Sequence, residues 1–227
     1  MLLLPFLILS VALIYNSTLF MEKLGIIREE ISVPNSEQNT YLIRLRFLSS
    51  SIRNSHDHIL LYLELDRWDL LESEMVTMEG LKEARRGELQ KLKESVIRNG
   101  GENTSRWILL QQLETQIAKM NEDCNIFLAH VDSIKKGSKK EDSVTIKLAE
   151  DLSYRQNKIL NVVSAFLLYN QKELEESSAL VDVLKVKSLY WAYFILALGS
   201  IMLIVVITSI NHTVSKSLEN IKCPPKK

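Results

Sequence analysis

Apolar residues recur at steps of three and four through the middle of the chain. The clearest run is Leu110, Leu113, Ile117, Met120, Cys124, Phe127, Val131 and Ile134, which alternates the two steps without a break. Such a stripe is one face of an α-helix. A second run passes through Leu148, Leu152, Arg155, Ile159, Val162, Phe166 and Tyr169, crosses polar Glu173 and Glu176, and resumes at Leu180 and Val183. Leu45, Leu48, Ile52, Ser55, Ile59 and Tyr62 mark a third. Leu71, Met75 and Met78, then polar Lys82 and Arg85, then Leu89, Leu92 and Val96 form a weaker fourth. No stretch alternates Val, Ile or Thr with polar residues as a half-buried strand does. Four segments at heptad spacing predict an all-α protein whose helices pack at small crossing angles in an antiparallel four-helix bundle.

Breakers fall between the stripes. Asn99-Gly100-Gly101 ends the second helix, with Asn103 or Thr104 placed to cap the third. Gly137, in "KKGSKKEDS", ends the third, and Ser138 or Asp142 can cap the fourth. The first turn has no such signal and is placed near Asp66–Asp69. Pro34 is expected to interrupt the first helix. The predicted first and fourth helices are long, about residues 22–67 and 140–188, and the two between are shorter.

Charge changes this picture at both ends. Residues 1–21 and 188–215 contain no Asp, Glu, Lys or Arg. A bilayer core about 30 Å thick takes roughly 20 apolar residues of helix. "LYWAYFILALGSIMLIVVITSI" (189–210) meets that requirement, with Tyr190, Trp191 and Tyr193 as an interfacial aromatic belt. The N-terminal "MLLLPFLILSVALIY" lacks the basic start of a signal peptide and reads as an uncleaved first span. The expected divisions are therefore a transmembrane helix at 1–21, an exported bundle at 22–187, a second transmembrane helix at 188–210 and a tail at 211–227. Lys216, Lys222, Lys226 and Lys227 against Glu219 give the tail net charge +3, which marks it cytoplasmic. The expected location is the bacterial inner membrane, with the bundle facing the periplasm or cell exterior. Two long helices alone bury little surface beside the membrane, so a homodimer is expected.

Candidate chemistry is sparse. There is no glycine-rich phosphate loop, H-E-x-x-H or paired-cysteine motif, so neither an enzyme, a metal site, a cofactor nor a nucleic-acid partner is expected. His56 and His58 in "SHDH" are two apart, which on a helix points them to different faces and suits a solvated or capping role. Arg155 occupies a core-type position. Counting equal distances from the outer turn brings Arg53 and Arg85 to its level. Arginine's planar fork binds carboxylates bidentately, so these three are the candidate site for a small anionic ligand. The alternative is that they are paired internally with acids such as Asp57, Glu122 or Asp151. The polar interruption "YNQKELEESS" (169–178) reads equally as a weakened, switchable seam or as a solvated face.

The layout as a whole resembles bacterial transmembrane sensors, above all the four-helix-bundle sensor module of methyl-accepting chemotaxis receptors, also found in histidine kinases and diguanylate cyclases. "TVSKSLENI" (213–221) is similar to the opening of a HAMP relay domain. Lys216 and Leu218 match and Ile221 follows, but Ser217 stands where the family usually has proline. The resemblance implies ligand binding in the bundle and helix displacements passed through Lys216, Leu218 and Ile221 to a cytoplasmic output. No output motif is present, so the chain reads as the input half of a longer signalling system or a truncated product. A self-contained two-span scaffold that binds an envelope protein is the competing expectation.

Overall fold

In the computed structural model, which describes residues 3–99, 104–137 and 142–222, the chain is helical almost throughout, with no strand among the described residues. Helix α1 spans Leu3–Ile27, α2 Val33–Glu64, α3 Trp68–Arg98, α4 Ser105–Lys135 and α5 Asp142–Lys222. A π-helical turn, Arg28–Ser32, joins α1 to α2. Pro34 lies in the first turn of α2 and accounts for it. Proline lacks an N–H and its ring crowds the carbonyl four residues back. Widening the preceding turn relieves that clash while the chain keeps winding. The predicted interruption is thus a distortion within a continuing helical path.

The other boundaries follow local chemistry. The α2–α3 turn is at Asp66, whose φ of 52° lies in the left-handed region that short polar residues tolerate. The Arg67 N–H donates to the Tyr62 carbonyl at 2.9 Å and closes it. Thr104 caps α4: its Oγ1 accepts from the Trp107 N–H at 3.3 Å. Gly137, at φ 96°, ends α4 with its N–H on the Ile134 carbonyl. Asn103 and Ser138, the alternative caps, lie outside the described residues.

The chain divides into two compact units, residues 29–175 and residues 1–28 with 176–227. Within the first, α2, α3, α4 and the opening part of α5 share one core. On α4 every residue of the predicted stripe is buried. On α3 the polar interruption is buried too, because α4 supplies partners one turn apart. Lys82 Nζ donates to Asn125 Oδ1 at 2.6 Å, and Arg85 Nη2 to Asn121 Oδ1 at 2.6 Å.

On α2 and α5 the register differs from the apolar count. The inward positions of α5 are Leu152, Gln156, Ile159, Val163, Phe166 and Asn170, so Arg155, Val162 and Tyr169 lie beside the seam. On α2 they are Leu42, Leu45, Ser49, Ile52, His56, Ile59 and Leu63, with Ser55 buried beside them, and Leu48 and Tyr62 are the predicted positions that fall outside. The reason is a hydrogen bond: Gln156 Nε2 donates to the Ser49 carbonyl at 3.0 Å inside the core. With Ser49, His56, Gln156 and Asn170 included, both stripes keep an unbroken alternation of three and four.

In the second unit, α1 and the later part of α5 meet through Asn16, whose Nδ2 donates to the Ser188 carbonyl at 3.2 Å. A hydrogen on Gly199 leaves room that a Cβ would take to within 3.6 Å of Leu9 Cδ1. Small residues and isolated amides are how helices associate where lipid replaces water. Leu7, Ile8, Ile14, Phe194, Leu196 and Ile204 stay exposed. These two helices are long and apolar enough to cross a membrane.

The register can be checked with single cysteines in a Cys124→Ala, Cys223→Ser background. Arg155→Cys should react with a maleimide in the folded protein, whereas Gln156→Cys should react only after denaturation. Equal labelling would return the seam to Arg155.

Candidate functional site

One side of the first unit opens into a groove of about 710 Å³ between α2 and α5. Its α2 wall carries His56, Asp57, Leu60, Leu63 and Glu64. On α5, Thr145, Ala149 and Ser153 recur at every turn of one face, and these small side chains hold that helix surface back. Ile146, Glu150, Tyr154 and Asn157 flank them. The volume falls within the range of small-molecule sites.

His56 is the unusual residue of the groove. It occupies a core position, is only 3% exposed, and its ring lies 4.6 Å from that of Phe127. Its Nδ1 is 3.3 Å from Asp57 Oδ1, and its buried Nε2 has no hydrogen-bond partner. A carboxylate only accepts, so Nδ1 carries the proton toward Asp57 and Nε2 presents a lone pair. Burial lowers the pKa of the imidazole from its ordinary 6.5, a shift that the Asp57 carboxylate opposes and Arg53 reinforces.

The lining is acidic. Asp57, Glu64 and Glu150 contribute carboxylates and no Lys or Arg belongs to it. Arg53 Nε approaches Asp57 Oδ2 at 4.0 Å, while Glu64 and Glu150 have no ion pair among the described residues.

A second polar cluster lies where the chain enters and leaves this unit. Arg106, buried in the first turn of α4, bridges α2 and α5: its Nη2 donates to Asn35 Oδ1 and to Glu173 Oε2. Asn35 Nδ2 donates to the same carboxylate at 3.3 Å, and the guanidinium lies 5.9 Å from the Tyr169 ring centre. Asn170 Nδ2 donates to Asn39 Oδ1 at 2.9 Å. Satisfaction is incomplete, because both amide atoms of Gln38, the Nε of Arg106 and the Oδ1 of Asn170 are buried without partners. The interruption at 169–178 is therefore partly an interior polar layer rather than a wholly solvated face.

The three arginines at the predicted ligand level are each engaged separately. Arg85 is fully buried, donates to Asn121 Oδ1 and to Met120 Sδ, and makes no ion pair among the described residues. Burial pulls its guanidinium down to about 10. Arg155, half-buried beside the seam, holds Asp123 at 3.0 Å. Arg53 pairs with Asp57 and borders a void of about 10 Å³, which is too small for an organic anion. Met120 accepts from Arg85 and lines that void with Ile52, Arg53 and Gln156. Lys216 is exposed on the helical end of α5, and the side chains of Leu218 and Ile221 lie outside the described residues. His58 faces away from His56 and is exposed, 3.7 Å from Glu74.

The spacing of Ile52, His56 and Ile59 already carries the signal that His56 faces the core. Arg106 stands one step of four before Leu110, so it continues the α4 stripe and its inward face is carried by the same spacing. No family model, characterised protein or solved structure matches the chain.

Removing Glu173 strands a buried cation, whereas Glu173, 29% exposed, can turn to water when Arg106 is removed. Glu173→Ala should therefore destabilise the protein more than Arg106→Ala, by about 3–5 against about 1–3 kcal/mol, as read in denaturant unfolding of the full chain in detergent. Equal losses would mean that the pair is solvated. The lowered pKa of His56 means that the unfolded chain takes up its proton first as pH falls. Stability should be complete above 6.5 and decline from there toward the depressed folded value, with a slope of at most about 1.4 kcal/mol per pH unit. Thermal melts of His56→Phe across that window should lack this component.

Proposed function

We propose that the chain is the ligand-sensing input module of a bacterial transmembrane signal-transduction receptor of the chemoreceptor or sensor-kinase type. It works as a homodimer whose antiparallel four-helix bundle faces outward from the inner membrane. The observation that carries this reading is the groove's placement. Its two walls are α2 and α5, the helices whose chains run on into the two apolar segments, so a ligand held there touches both lines of transmission.

Energetics support the same reading. Moving a two-state element from about 1:99 to 99:1 takes about 5.5 kcal/mol of differential binding. A micromolar ligand supplies about 8 kcal/mol in total, which suffices if it binds mainly one state. The half-satisfied layer of Gln38, Arg106 and Asn170 is a natural place for two packings of similar energy, since unpartnered buried polar atoms gain from any rearrangement that pairs them. The basic tail with Lys216, Leu218 and Ile221 is then the inner end of the relay.

Hydrogen exchange on the full chain in lipid nanodiscs, screened against small metabolites, tests this. A compound that protects residues 56–64 and 145–157 should also alter exchange at 35–42 and 166–174. If exchange ignores every small molecule and the chain co-purifies with an envelope protein, the scaffold reading replaces this one.

A further inference from the structure

We infer that the α2–α5 groove binds an organic ammonium ion with an apolar body, a ligand opposite in charge to the anion expected from the arginines. Three independent features of the groove point the same way.

The first is charge. Asp57, Glu64 and Glu150 line it without a lysine or arginine among them. Arg53 takes up part of the Asp57 charge, but Glu64 and Glu150 are left unpaired among the described residues. Arg155 and Lys158 on α5 are not part of the lining, although both approach its Tyr154. Arg155 holds Asp123, and both Arg155 and Lys158 lie over the Tyr154 ring, at 6.0 and 5.3 Å from its centre. That arrangement also shows the ring attracting positive charge. An anion entering the groove meets net repulsion; a cation does not.

The second is His56. Its ring is buried in the groove wall with Nδ1 committed to Asp57 and Nε2 unpartnered. A buried acceptor without a donor costs about 1–3 kcal/mol. Nε2 itself is buried, so a ligand reaches it only by turning the ring; a carboxylate then has no proton to offer at neutral pH, whereas an ammonium group donates an N–H. The third is the rest of the wall. Leu60, Leu63, Ile146 and Ala149 offer an apolar bed to a hydrocarbon or aromatic body.

The inference rests on the receptor reading for its signalling consequence, but binding stands without it, and one experiment separates the two. The full chain in zwitterionic nanodiscs is titrated calorimetrically with 2-phenylethylamine, hexylamine and putrescine, and with 3-phenylpropionate as the carboxylate counterpart. Empty nanodiscs correct for partitioning into lipid. At least one amine should bind once per chain, at least about tenfold more tightly than the carboxylate. Glu150→Gln, an exposed change, and His56→Phe, which keeps a ring against Phe127, should each weaken amine binding about tenfold.

The inference is overturned if the carboxylate binds as well as the amines, if no amine binds below about 1 mM, or if both variants bind like the parent chain. It is likewise overturned if cysteines placed in the groove cross-link between two copies, showing the groove filled by a second chain. Hydrogen exchange at residues 166–174 then decides the receptor reading. Amine binding without a change there keeps the site and removes its signalling role. A carboxylate that binds and does change it keeps the receptor and removes the ammonium ion.

Discussion

A polar group inside a heptad seam must find a partner, and much of this bundle is arranged to meet that demand. Gln156 reaches the Ser49 carbonyl, Arg85 and Lys82 reach Asn121 and Asn125, and Arg106 draws Asn35 and Glu173 together. Each bond contributes only about 1 kcal/mol net, but leaving its buried groups unpaired costs more than that. A one-residue rotation of α5 would put Arg155 in the core and strand Ser49 and Gln156. The polar bonds thereby choose between registers that the apolar side chains alone leave close in energy.

The same demand marks the places where the bundle falls short of it. Gln38, Asn170, the Nε of Arg106 and the Nε2 of His56 are buried without hydrogen-bond partners, as are Ser49 Oγ, Arg85 Nε, Glu88 Oε2 and Gln116 Oε1. Gln38 near the start of α2, Arg106 at the start of α4 and Asn170 on α5 belong to the polar layer, and His56 lines the groove between α2 and α5. A core built only for stability would fill such positions with apolar side chains. Partners are missing at several levels of the bundle, the groove wall and the cross-helix layer among them.

The groove has a steric origin as well as an electrostatic one. Thr145, Ala149 and Ser153 present little bulk on one face of α5, so the space beside α2 stays open. In sequence these residues are unremarkable, because small side chains serve equally as close packing and as an opening. Which of the two they produce depends on whether a facing side chain reaches across.

The sequence by itself determined the helical class, the breaks at Asn99 and Gly137 with Asn103 or Thr104 as the α4 cap, the α4 seam and the two apolar segments. All of these rest on local rules: periodicity, left-handed residues, capping and uncharged length. Only the tertiary structure decided the faces of α2 and α5, which buried polar groups find partners, and the opening of the groove. Those outcomes depend on partners as much as 138 residues apart, as Asn35 and Glu173 are. A polar residue's place in or out of a core is set by whether such a partner exists. No spacing within a single helix records that.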